Sequence, residues 1–313
     1  MIRRLLLLAS VAIAPLAAQD RRDESFYYPG SFNWQFLARY PEGAKLFNAF
    51  DYGHAVLYER LLALDSVRAV PALAREYDFL TTDLLVRPPR FSVAEEVIAP
   101  RYAKLAWPAK EMFEWAHVLH RQLYDVYADP RLDDAAKRAL VERITDFYLA
   151  DTKYAFLAEP KAMSLMDDQH FSQRFRRQHP QFNGLIWAYH WLQVGLYEPL
   201  LTEATEEAKR AGVRRVVEGF WAMVREGRYP ETMPMTIAIA PVFSARHPRA
   251  AAIFDNLHMM HDIISDILVH PTWSDGEKRA EILRQVEEMR RPGTNLMGWD
   301  AWKRMGQAGG HVH

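Results

Sequence analysis

Two heptapeptides, Glu114-Trp-Ala-His117-Val-Leu-His120 and Asp255-Asn-Leu-His258-Met-Met-His261, share an acidic residue followed by two histidines at intervals of three. Position 255 lies 141 residues after position 114, and the surrounding sequence also matches at this offset. Self-similarity at a fixed offset indicates an internal repeat. Further matches at the same offset are Asp125 with Asp266, Pro130 with Pro271, and Lys137-Arg138-Ala139 with Lys278-Arg279-Ala280.

A second pair of matching segments lies upstream of these heptapeptides. Leu57-Tyr-Glu59-Arg-Leu-Leu62 corresponds to Leu196-Tyr-Glu198-Pro-Leu-Leu201, and position 198 lies 139 residues after position 59. Two blocks in the same order, at nearly the same offset, predict an internal duplication. We therefore expect one helical domain over residues 19–290, built from repeats of about 41–150 and 180–290, followed by a loose C-terminal tail at 291–313.

Apolar residues recur with helical periodicity along most of the chain. Long stretches of this kind cover about 41–64, 108–129, 182–201 and 248–269, and Ser274 with Glu277 forms a capping-box pattern before a further amphipathic segment. Thr236–Ile239 is the one short β candidate. The pattern predicts an all-α fold with a four-helix core and additional outer helices.

Composition limits the classes of partner and cofactor. The formal net charge of −1 argues against nucleic acid as a partner. The absence of cysteine excludes disulfides, iron–sulfur clusters and thiolate metal sites. Arg3 and Arg4, followed by a short apolar stretch and small residues at Ala17 and Ala18, predict a signal peptide at 1–18 and a periplasmic or secreted protein. No other segment predicts a transmembrane helix.

Acidic residues and histidines occupy positions that face the predicted core. Glu59 has Ala55, Val56, Leu62 and Ala63 as its helical neighbours, and Glu198 has a similar setting. A carboxylate on an apolar face is costly unless it is neutralised or bound to a cation. Each acidic residue of the heptapeptides lies three positions before a histidine, so the two side chains project side by side from one helix.

This arrangement resembles the ferritin-like di-iron and di-manganese carboxylate superfamily, in which two helices supply one Glu each and two others supply Glu-x-x-His. The resemblance implies a ferritin-like four-helix bundle formed by the duplication, holding two iron ions, with manganese or a mixed Fe/Mn pair as alternatives. Here the second motif begins with Asp, and each motif carries an additional histidine. The implied metal ligands are Glu59, Glu114, His117, Glu198, Asp255 and His258.

Further polar residues at matched positions are candidate additional ligands or groups that orient the ligating histidines. They are His120, His261, Asp51, His190, Asp125 and Asp266. The function that follows from the resemblance is an oxidoreductase that reacts with oxygen or peroxide as its small-molecule oxidant. A non-catalytic metal-binding or storage protein, and a haem b protein with His117 and His258 as axial ligands, are the alternatives.

Overall fold

The computed structural model describes residues 34–63 and 66–308, and these residues form helices joined by short connections. Within this described part of the chain there is no β-strand, and one isolated bridge pairs Lys161 with Leu296. The predicted all-α class is therefore confirmed for these residues. Thr236–Ile239, the β candidate, is a short helix. The predicted signal peptide at 1–18 lies outside the described residues.

Helices follow one another in the same order in the two predicted repeats, except that two consecutive helices of the second take the place of one helix of the first. The first series comprises α1 (Gln35–Arg39), α2 (Pro41–Ala63), α3 (Ser66–Phe79), α4 (Glu95–Ile98), α5 (Pro100–Leu105), α6 (Trp107–Ala128) and α7 (Asp134–Ala150). A π-helical turn, Leu80–Leu84, extends α3, and the short α8 (Ser164–Asp167) precedes the second series. That series comprises α9 (Arg174–Gln178), α10 (Pro180–Gly195), α11 (Tyr197–Thr202), α12 (Glu206–Glu226), α13 (Thr236–Ile239), α14 (Pro241–Arg246), α15 (Pro248–Leu268) and α16 (Asp275–Arg290). Helices α10 and α11 are the two that take the place of α2.

Prolines explain why both series contain a short helix just before the long helix α6 or α15. Proline disfavours the helical conformation at the residue before it, and at some positions this ends one helix and begins another. Ala99 and Ala240 precede the prolines that start α5 and α14, and their φ angles are −121° and −124°. Each break leaves backbone N–H groups at a new helix N-terminus that need acceptors.

The core is formed where four long helices of the two series meet. Helix α2 contacts α10 and α15, and α6 contacts α11 and α15. Every residue of α15 from Ala250 to Leu268 is buried, although this stretch includes two histidines and three aspartates. Buried polar side chains need partners within the protein or a bound ligand. No described helix has both the length and the apolar character needed to cross a bilayer.

Two tyrosines at matched positions link the repeats to each other across this core. Tyr58 of the first series donates a hydrogen bond to the carbonyl of His261, at 3.3 Å. Tyr197 of the second series donates to the carbonyl of His120, at 3.2 Å. The repeats therefore make reciprocal contacts through corresponding residues. Whether the four helices have ferritin-like topology stays a prediction.

The segment after Arg291 differs from the loose tail expected from its glycines. It contains a last helix, α17 (Trp299–Gln307), which lies against α13. Trp302 is buried and its indole N–H donates to Asp255 at 2.7 Å. Gly306 lies so close to Ile237 that a Cβ would approach its Cγ2 to 2.2 Å. Burial of an aromatic side chain therefore fixes this helix on the second repeat.

Candidate metal centre

Six imidazoles converge in the core where α2, α6, α10 and α15 meet, and we call them the histidine cluster. Each is buried, with at most 6% of the residue exposed. The ring centroids of neighbouring members are 3.9–6.1 Å apart. The members are His54, His117, His120, His190, His258 and His261.

Most ring nitrogens of the histidine cluster have no hydrogen-bond partner. Leaving a buried polar atom unpaired costs about 1–3 kcal/mol. Eight such atoms would together cost on the order of 10 kcal/mol, which is comparable with the whole stability of an ordinary domain. The eight nitrogens are both of His54, both of His258, Nε2 of His117, His120 and His261, and Nδ1 of His190.

Three members of the cluster already have the spacing of ligands to one metal ion. His54, His190 and His261 each offer a ring nitrogen such that all three atoms lie within 4.8 Å of one another. His190 Nε2 and His261 Nδ1 are 3.1 Å apart. Two nitrogens bound about 2.0–2.1 Å from the same tetrahedral ion would lie about 3.3 Å apart. The triad therefore needs little rearrangement to hold a cation.

Two other members are held by one ring nitrogen while the second nitrogen stays without a partner. His120 Nδ1 lies 2.9 Å from the hydroxyl of Tyr197. His117 Nδ1 lies 3.4 Å from Asp51, which also binds Arg121. In both histidines Nε2 is the nitrogen without a partner. Metal-binding histidines are typically oriented in this way through the nitrogen that does not bind the metal.

Burial keeps these imidazoles neutral. It lowers the pKa of His117 to about 4 and that of His258 to about 3, and neighbouring histidines or Arg121 act in the same direction. The pKa values of His54, His120, His190 and His261 are also lowered, chiefly by burial and further by the neighbouring imidazoles. Neutral imidazole is the form that binds metal ions, so the ligands need no deprotonation at neutral pH.

A cavity of about 360 Å³ leads from the surface to the histidine cluster. His54, His117 and His261 line it at the cluster, so a small molecule in the cavity can reach them. Nearer the surface, acidic residues of α4 and α6, together with aromatic rings, form its walls. In the described part of the chain, the cluster is therefore buried but can be reached by small molecules through this cavity.

The structure gives Glu59 and Glu198 other partners. Glu59 accepts a hydrogen bond from the backbone N–H of Arg101 at 2.9 Å, at the start of α5. Glu198 accepts one from Val242 at 3.2 Å, at the start of α14. A carboxylate at a helix N-terminus satisfies free N–H groups and interacts favourably with the helix dipole. The apolar surroundings of these glutamates thus have a structural explanation, and ligation by either one stays a prediction.

The acidic residues of the two heptapeptides also have protein partners. Glu114 binds Lys110 at 2.8 Å and accepts the backbone N–H of Glu95 at 3.2 Å. Asp255 accepts the backbone N–H of Thr236 at 2.7 Å in the corresponding position, and its other oxygen binds Trp302. Of the six predicted ligands, only His117 and His258 belong to the histidine cluster.

The remaining candidate residues belong to the histidine cluster, lie beside it, or cap helices. His120, His190 and His261 are cluster members, and Asp51 lies beside His117. Asp125 accepts the N–H of Phe36 at 2.8 Å, and Asp266 that of Phe175 at 2.7 Å, so they cap α1 and α9. These two aspartates therefore anchor matched short helices.

His54 is the cluster member that sequence reasoning missed. The repeat offers no second histidine to mark it, because the corresponding position is Gln193. Gln193 is itself buried, and both of its side-chain polar atoms lack a hydrogen-bond partner. Both positions hold a polar residue that is flanked by apolar residues on a core helix. This pattern could have identified His54.

Comparisons of the chain with protein-family models, with curated proteins and with solved structures found no match.

Proposed function

We propose that this protein is a redox metalloprotein that binds first-row transition metal ions in the histidine cluster and reacts with dioxygen or peroxide. The observation that carries the proposal is the set of eight buried ring nitrogens without hydrogen-bond partners. Metal coordination would remove their desolvation penalty and would couple metal binding to folding.

The cluster offers ligands for two ions. The first would bind to His54, His190 and His261, whose ring nitrogens already lie within 4.8 Å of one another. The second would use His117, His120 and His258, each of which has at least one ring nitrogen without a partner. Among the described residues only the first triad has ligand spacing, so the second would have to draw its nitrogens closer together. Each repeat then contributes three imidazoles to a dimetal centre.

The ligand chemistry bears on the identity of the metal. Imidazole suits copper and iron among the redox metals, whereas manganese prefers oxygen ligands. Because the predicted carboxylate ligands have other partners, few anions remain to offset the charge of trivalent iron in a buried site. We therefore propose copper or iron, with copper favoured, in place of the di-iron carboxylate centre expected from the resemblance.

The protein's own residues have separable tasks at such a centre. Asp51 and Tyr197 orient His117 and His120, while Phe50 and Phe113 pack against the imidazoles and exclude water. The bound metal would supply the electrons that reduce the oxidant. The cavity gives a small oxidant a route to three imidazoles, which favours a reactive centre over a closed storage site.

Metal analysis of the purified protein tests the proposal. Protein loaded with copper or iron is expected to retain close to two ions per chain, and the triple variant His54→Ala/His190→Ala/His261→Ala to lose at least one. His170→Ala, which changes an exposed histidine outside the cluster, is the matched control. An optical or electron paramagnetic resonance spectrum should change on reduction and return on exposure to oxygen. Full metal retention by the triple variant would refute the site, and a metal-loaded protein inert to reductant and oxidant would refute the redox function.

Export by the predicted signal peptide belongs to the same proposal. Expression of the full chain, followed by N-terminal sequencing, is expected to show a mature protein that begins near Gln19.

A further inference from the structure

The cavity beside the histidine cluster has an unequal balance of charge. Among the described residues that line it there are six carboxylates and only two cationic side chains, Lys110 and Arg121. The carboxylates belong to Asp51, Glu95, Glu96, Glu111, Glu114 and Asp151.

Both cations are already engaged by these carboxylates. Lys110 is buried, and its ammonium group lies 2.8 Å from each of Glu96, Glu111 and Glu114. Hydrogen bonds to Glu111 and Glu114 occupy two of its three N–H donors. Arg121 is bound to Asp51 and lies over the ring of Phe47. An anionic ligand would therefore meet an excess of negative charge, because both cations are already paired with carboxylates.

Glu95 lies in this cavity with one carboxylate oxygen left unsatisfied. Its Oε1 atom is buried and has no hydrogen-bond partner. Burial, and next the charge of Glu114, raise the pKa of Glu95 well above its usual value. A cationic donor placed beside Glu95 would satisfy this oxygen with a charge-assisted hydrogen bond.

Aromatic rings complete the walls of the cavity. Trp107, at 45% exposure, lies near the surface and already has the ammonium of Lys110 4.4 Å from its ring centre. Phe113, Trp115 and Tyr154 also line the cavity. Aromatic faces attract cations and bury apolar groups, so the same walls suit both parts of an organic cation.

Unpartnered imidazoles line the inner end of this cavity. His54, His117 and His261 are each more than nine-tenths buried, line the cavity, and have a ring nitrogen without a partner. A molecule in the cavity would therefore lie between the carboxylates and the histidine cluster.

The corresponding face of the second repeat lacks this chemistry. At the offset of 141, Lys110 and Glu111 correspond to Ala251 and Ala252, and Glu95 corresponds to Thr236. Trp302 of α17 binds Asp255 there. The acidic and aromatic cavity is therefore a specific feature of the first repeat rather than a consequence of the shared fold.

We propose that this cavity binds an organic cation, with its ammonium group beside Glu95 and Glu111 and its apolar body against Trp107. This inference rests on the proposed function in one respect, namely that the bound cation is the substrate presented to the metal centre. The binding itself is a property of the cavity in the metal-free protein.

Isothermal titration calorimetry of the metal-free full chain with three matched probes tests the proposal. Phenethylamine is the cation, 2-phenylethanol is its neutral analogue, and phenylacetate is the anion. Phenethylamine is expected to bind at least about tenfold more tightly than 2-phenylethanol, as a charge-assisted hydrogen bond implies, and phenylacetate more weakly than both. Equal or tighter binding of either analogue, or no measurable binding of phenethylamine, would overturn the proposal.

The double variant Glu95→Gln/Glu111→Gln tests the location of the ammonium group. The affinity of this variant for phenethylamine is expected to be at least about tenfold lower. Glu226→Gln, at an exposed site, should leave the affinity unchanged. Circular dichroism checks that both variants fold. Metal content, measured on the same samples, separates the two proposals. Unchanged affinity in a folded double variant refutes the cation site, and absence of metal from the unmodified protein refutes the metal centre alone.

Discussion

Replacing Glu59 should lower stability without removing metal. Its carboxylate accepts the backbone N–H of Arg101 at 2.9 Å and that of Tyr102 at 3.4 Å, both at the N-terminus of α5. Loss of a helix cap costs about 0.5–2 kcal/mol, and the interaction of a negative charge with the helix dipole contributes about 0.3–1 kcal/mol. Glu59→Ala should therefore lower the free energy of unfolding by about 1–2 kcal/mol. Glu59→Gln keeps an oxygen acceptor and should cost about half as much.

Urea unfolding of the metal-free protein, followed by circular dichroism, measures this change. Glu198→Gln should behave like Glu59→Gln because it caps the corresponding helix α14. The exposed control Glu226→Gln should change the unfolding free energy by less than about 0.5 kcal/mol. Metal content should be unaffected in all of these variants. A Glu59→Gln/Glu198→Gln double variant that keeps full stability but loses its metal would refute the capping role and restore both glutamates as ligands.

Three further predictions concern the surroundings of the cluster. In a metal-competition titration, Tyr197→Phe should weaken metal binding about 10-fold or more, because it removes the hydroxyl that holds His120. Tyr58→Phe should have little effect, because it removes a hydrogen bond to a carbonyl only. Trp302→Ala should lower the urea-unfolding free energy by about 3–5 kcal/mol, because it empties a buried aromatic site. Burial raises the pKa of Asp266 to about 7, so its protonated form stabilises the fold at low pH and this contribution is lost as the pH rises from about 4 to 7. The difference in unfolding free energy between wild type and Asp266→Asn should therefore fall by about 2–3 kcal/mol between pH 5 and pH 8, and a constant difference would show that Asp266 titrates normally.

The helical class could be predicted from apolar periodicity along the chain. Five of the six cluster histidines are candidate site residues from the sequence, and four of these five recur at matched positions of the predicted repeats. His117 and His258 occur at matched positions, as do His120 and His261. The repeat marks His190 only as the counterpart of Asp51, and it does not mark His54. Where the two predicted repeats differ in sequence, comparing them does not identify a candidate site residue.

The partners of the acidic residues depend on contacts that no local pattern reveals. Glu59 meets the start of α5 about 40 residues later in the chain, and the apolar neighbours of Glu59 are the same whether it binds metal or a helix N-terminus. Helix α17 was missed for a similar reason. Its glycines suggest a loose tail, but Gly306 permits close contact with Ile237 and Trp302 fills a site on the second repeat.

Differences between the predicted repeats place the cavity beside the cluster on the side of the first repeat. Glu114 accepts the backbone N–H of Glu95. At the corresponding position of the second repeat, Asp255 accepts the backbone N–H of Thr236. The second oxygen of Glu114 faces Lys110 and the open cavity, whereas that of Asp255 binds Trp302. The added helix α17 therefore covers the side of the second repeat that matches the cavity of the first. In the proposed metal centre, covering the side of the second repeat would expose intermediates to less water than leaving both sides open.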